Sequence, residues 1–73
     1  MSRHFEREIT KLKDKILTVG TMVETAIAKS IASLTNMDSD LARAVIASDS
    51  EIDQMEVDVE EECLKILALH QPV

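Results

Sequence analysis

The sequence predicts an all-α fold made of two long antiparallel helices, a helical hairpin. Three observations predict it. Apolar residues recur at alternating intervals of four and three over two long stretches, which is the period of a helical seam. A single polar cluster, Thr35-Asn36-Met37-Asp38-Ser39-Asp40, separates the two stretches. Strand and turn punctuation is nearly absent: the 73 residues are 45% hydrophobic, with one Gly, one Pro, one Phe and no Trp or Tyr.

The first helix is expected over about residues 3–35. Phe5, Ile9, Leu12, Ile16, Val19, Val23, Ala26 and Ser30 keep the four-three rhythm for almost four heptads. Ile27, Ile31 and Leu34 widen the stripe toward the end, so this helix is expected to touch more than one neighbour there. Gly20 interrupts it at about 1 kcal/mol relative to Ala, a cost that close approach of another helix would explain. The turn follows at residues 36–39, where Asn, Asp and Ser side chains bond their own backbone.

The second helix is expected over about residues 39–70, with Asp38 as its N-cap and Asp40 complementing the helix dipole in the first turn. Leu41, Val45, Ser48, Ile52, Met55, Val59, Glu62, Ile66 and Leu69 form its seam, and Pro72 should end it. So short a connection folds the helices back on each other, giving a hairpin about 45 Å long. Two arms alone leave one side of each stripe wet. A third helix, or a second copy of the hairpin forming a four-helix bundle, would cover it.

Charge and composition exclude several classes. A net charge of −6 without aromatic-basic interleaving argues against a nucleic-acid surface and against adsorption to anionic lipid. No apolar run approaches the roughly 20 residues needed to span a bilayer, and the charged start lacks a signal-peptide core, so the chain reads as cytoplasmic. The lone Cys63 has no internal partner and reads as a small packing residue.

Between Asp49 and Glu62 stand eight carboxylates in fourteen residues, with no Lys or Arg among them. Asp49, Asp53, Glu56 and Glu60 fall at i, i+4, i+7 and i+11, one line on a helix. That line flanks the seam by roughly a quarter turn, and its continuations, Ala42 and Ile46 before it and Cys63, Leu64 and Leu67 after it, are apolar. Two readings stand side by side. The line is a solvated face, partly paired with Lys11, Lys13 and Lys15 across the hairpin, or it lines a groove between helices where carboxylates select a hard cation such as Mg, Mn or Ca, or iron. On the second reading Asp49 and Asp53, with no base level with them, are the first ligands to consider.

His4 and His70 come level at the open end of the hairpin, but two ligands do not complete a metal site. No Glu-x-x-His, Gly-rich phosphate loop, or Cys-His or Ser-His-Asp set occurs, so catalysis is not expected.

The series His4-Phe5, Met22-Val23-Glu24-x-Ala26-Ile27, Asp40-Leu41-Ala42, Val45-Ile46-x-x-Asp49-x-x-Ile52-Asp53-x-x-Glu56 and Gln71-Pro72-Val73 resembles the start of a PhoU protein. The resemblance implies a partial PhoU-like domain over residues 1–73, namely two helices of a three-helix bundle whose third helix lies outside this chain. Completion by self-association, as a dimer or larger helical bundle, is then expected. It also implies a regulatory adaptor that negatively regulates the phosphate starvation response, contacting a phosphate ABC transporter and a sensor histidine kinase from the cytoplasm. An acidic residue and an Asp four positions apart belong to the family's metal-binding motif, which carries over to Asp49 and Asp53, with Mg, Mn, Fe or Zn as the cation. Glu56 and Glu60 extend that line by helical geometry alone. A purely structural oligomerisation hairpin with a solvated acidic face is the alternative.

Overall fold

A computed structural model describes residues 3–70, so the Pro72 stop and the terminal Gln-Pro-Val lie outside the described residues. Two helices account for nearly all of it: α1, Arg3–Thr35, and α2, Ser39–His70. They pack antiparallel into a rod of 56 × 16 × 12 Å.

The turn is built from two capping devices placed end to end. At the end of α1, the Asp38 amide donates to the Ser33 carbonyl at 2.8 Å and the Met37 amide to the Leu34 carbonyl at 3.4 Å, the paired bonds of a Schellman motif. Met37 takes the left-handed position there, with φ 52°. At the start of α2, the Leu41 amide donates to Asp38 Oδ1 at 3.0 Å, which makes Asp38 the N-cap. Asp40 in the first turn accepts from Arg43 at 3.0 Å.

The core is thin, with Ile52, Ile66 and Ser33 as its buried side chains among the described residues. The α2 seam follows the expected positions from Leu41 to Ile66, and then His70 rather than Leu69 turns inward. The α1 seam departs from its expected line at two positions. Phe5, Ile9, Leu12, Val19, Ala26 and Ser30 are half-buried as expected, but Ile16 and Val23 are exposed, and Met22 turns inward in place of Val23. Ser30 and Ser33 bring hydroxyls into this seam, and both donate to carbonyls of their own helix at 2.7 Å. Small side chains at the turn end let the helices stay close.

Gly20 does not serve the hairpin. A Cβ placed on it would meet nothing within 4 Å, so α2 makes no close approach there. The expected reason for this glycine is not found in the packing of α1 on α2.

Candidate cation groove on the acidic flank

Helical spacing puts Ala42, Ile46, Asp49, Asp53, Glu56, Glu60, Cys63 and Leu67 on one stripe of α2, stepping by four and three. Because the helices run antiparallel, this flank and the α1 flank of Ile16, Gly20, Val23, Ile27, Ile31 and Leu34 fall on the same face of the rod. A recess of about 220 Å³ lined by Ile16, Val19, Glu56, Val59 and Glu60 marks where the two flanks meet. On the opposite face Thr21, Thr25 and Lys29 stand beside Met22, Ala26, Ser48 and Ile52 around a smaller recess.

The four carboxylates of the line are all exposed. The structure brings Glu56 and Glu60 to a common recess, while Asp49 and Asp53 lie further toward the turn on the same stripe. From Asp49 to Glu60 the helix rises about 16 Å, so one ion cannot reach all four. What α1 places across from them is apolar. Accordingly, no group of three or more His, Cys, Asp or Glu among the described residues is set to hold a metal ion. Each neighbouring pair offers half a site, and an all-oxygen donor set suits Mg, Mn or iron better than Zn, which favours nitrogen and sulfur.

The expected pairing with Lys11, Lys13 and Lys15 is not seen. Among the described residues the ion pairs are His4 with Glu8, Arg43 with Asp40, and His70 with Glu8. Holding long exposed side chains in one geometry costs about as much as such pairs return. Among the described residues, therefore, no ion pair compensates the acidic line, Glu56 and Glu60 as much as Asp49 and Asp53.

At the open end the structure adds a residue that the sequence reading passed over. Glu8 accepts from both histidines: His4 Nε2 lies 2.6 Å from Oε1, and His70 Nε2 lies 3.1 Å from Oε2. A carboxylate only accepts, so both rings carry hydrogen on Nε2 in this arrangement. His70 also meets the edge of Phe5, with centroids 4.7 Å apart. Beside it, Phe5, Ile9, Leu12, Cys63, Ile66, Leu67 and His70 line an apolar cleft of about 470 Å³. The i, i+4 spacing of His4 and Glu8, with His70 level across the hairpin, was the available signal.

These features define a class: an all-α chain with one acidic and apolar flank open to a further element. The PhoU domain model matches residues 16–73. The chain is 38% identical over 72 residues to the phosphate-specific transport system accessory protein PhoU of Escherichia coli K12, covering 99% of this chain and 30% of that protein. It is 36% identical to the PhoU homolog of Pseudomonas aeruginosa, with the same two coverages, 99% and 30%. It is 34% identical over 73 residues to PhoU homolog 2 of Thermotoga maritima, covering 100% of this chain and 31% of that protein. The chain belongs to the PhoU family, and it spans about three tenths of the length of these relatives. No solved structure matches it.

Proposed function

We propose that this chain is a regulatory module of phosphate uptake and signalling that works by protein contact and restrains the phosphate starvation response. The observation that carries the reading is identity of 34–38% across nearly the whole chain to proteins named as accessory to phosphate-specific transport. The partners implied are the phosphate ABC transporter and a sensor histidine kinase, met on the cytoplasmic side. No helix of the described residues is long and apolar enough to cross a membrane. The exposed helix faces of the fold suit docking, which supports an adaptor role.

A hard divalent cation or iron is the ligand we assign to the acidic line, through Asp49 with Asp53 and Glu56 with Glu60. This chain supplies two carboxylates to an ion at most, and water or another segment supplies the rest. The cation would offset like charges that no ion pair among the described residues compensates.

Two experiments test the reading. In a strain whose PhoU gene is deleted, expression of the chain joined to the remaining length of a relative should restore repression of a starvation-responsive reporter in high phosphate. A chimera that folds but leaves the reporter on would sink the regulatory assignment. Calorimetric titration of the chain with Mn should show binding that the Asp49→Asn, Asp53→Asn double variant weakens while helicity stays intact. Equal binding by both would leave the line a solvated face.

A further inference from the structure

The open end of the hairpin carries a donor set unlike the acidic line. His4 and Glu8 stand one helical turn apart near the start of α1, and His70, at the end of α2, comes level with them. Both rings turn the same nitrogen toward one carboxylate: His4 Nε2 lies 2.6 Å from Glu8 Oε1, and His70 Nε2 lies 3.1 Å from Oε2. Two imidazoles and a carboxylate thus converge from both helices. Glu8 and His70 are largely covered, at 15% and 24% side-chain exposure, and the Phe5 ring packs edge-on against His70 with centroids 4.7 Å apart. His4, at 72%, leaves a way in from water.

We propose that His4, Glu8 and His70 bind a zinc ion that ties the far ends of the two helices together. The inference uses this donor set alone and no part of the phosphate reading. Two His and one Glu, with water as the fourth ligand, make a recurrent zinc shell, whereas the all-oxygen line on α2 suits harder ions. The two sites therefore differ in the ion they select. The ion would join residues 62 positions apart in sequence, at the end of the rod farthest from the turn.

As they stand, the three form no ready-made site, because each ring spends its Nε2 hydrogen on a different oxygen of Glu8. The adjustment needed is small. Bonds of about 2.0–2.1 Å in a tetrahedron set neighbouring donors about 3.3 Å apart, close to the two separations found. Two imidazoles on one such ion would hold their ring centroids about 5 Å apart, against 6.2 Å here. Rotation of the exposed His4 ring is enough to close a gap of about 1 Å. In a neutral ring the Nε2 hydrogen moves to Nδ1, which frees the lone pair for the metal. Cys63 lines the neighbouring cleft but sits about 10 Å from His70 along α2, too far to join.

Calorimetric titration of the 73-residue chain with zinc, in a phosphine reductant, tests this. One ion per chain is expected, with His4→Ala and His70→Ala each weakening binding at least tenfold. Zinc should raise the melting temperature of the wild type and of neither variant, since an ion that binds the folded form stabilises it by mass action. Asp49→Asn with Asp53→Asn, and separately Cys63→Ser, should leave zinc affinity unchanged. Because the acidic line is tested with Mn, its failure and the failure of this site are distinguishable. Circular dichroism checks the helices, and if His70→Ala unfolds, His4→Ala at an exposed side chain decides alone. Zinc binding that His4→Ala leaves intact overturns the proposal. So does one ion per two chains, loss of binding in Cys63→Ser or in the double Asn variant, or no binding of millimolar zinc by either readout.

Discussion

Met37 is the non-glycine residue that adopts a positive φ among the described residues, at 52°, in the position where helix ends usually place glycine. An L side chain there costs about 1–2 kcal/mol, and Met37 returns little of it, being 88% exposed. Met37→Gly should therefore stabilise the hairpin by about 0.5–1 kcal/mol, less than the full strain because glycine frees the unfolded chain. Urea denaturation reads this as a higher midpoint at constant slope. One residue later, Asp38→Ala removes the acceptor for the Leu41 amide and should cost about 1 kcal/mol in the same assay. Asp38 was legible in the sequence because a capping carboxylate announces itself by type. The conformation of Met37 was not, since nothing in a methionine signals a left-handed turn.

At the scale of elements, hydropathy spacing was enough for two helices and their antiparallel return, but not for the exact inner line of α1. A strict heptad names Val23 as a core residue, while the structure leaves Val23 exposed and turns Met22 inward. The acidic line was legible as a line, since i, i+4, i+7 and i+11 is a property of any helix. Whether it closes into a site was not, because the remaining ligands do not come from α1. Two predictions follow from the elements. Gly20→Ala should stabilise the chain by about 1 kcal/mol, because the position is helical, exposed and open within 4 Å. If Gly20 is kept for a further helix, the same change should weaken that helix's docking while the isolated hairpin gains, and paired urea melts of the chain and a longer relative's chimera would separate the two effects. Asp49→Asn with Asp53→Asn should raise helicity at low ionic strength by relieving like-charge stacking. That gain should vanish in high salt, where repulsion is screened, and circular dichroism across a salt series checks it.

The whole molecule is a rod whose radius of gyration, 16.8 Å, exceeds the roughly 11 Å of a compact domain of this length. Its stability accordingly rests on few side chains. Ile66 is 4% exposed and Ile52 is 7% exposed, against a ring of large aliphatics left in water. A core of this size contributes about 3–5 kcal/mol net, and Ile→Ala in a packed site costs about 2–5 kcal/mol. Ile66→Ala should thus unfold most of the chain in a dilute sample. Ile31→Ala, at a side chain 61% exposed, should change a dilute sample by less than about 0.5 kcal/mol. If two copies associate through their exposed aliphatic residues, however, the wild-type melting temperature rises with concentration, because association stabilises the folded form by mass action, and Ile31→Ala flattens that rise. Thermal melts of the three proteins over a hundredfold range of concentration read both effects at once. A wild-type midpoint independent of concentration would show that the rod stands on its own two helices, with Ile52 and Ile66 as its buried apolar side chains among the described residues.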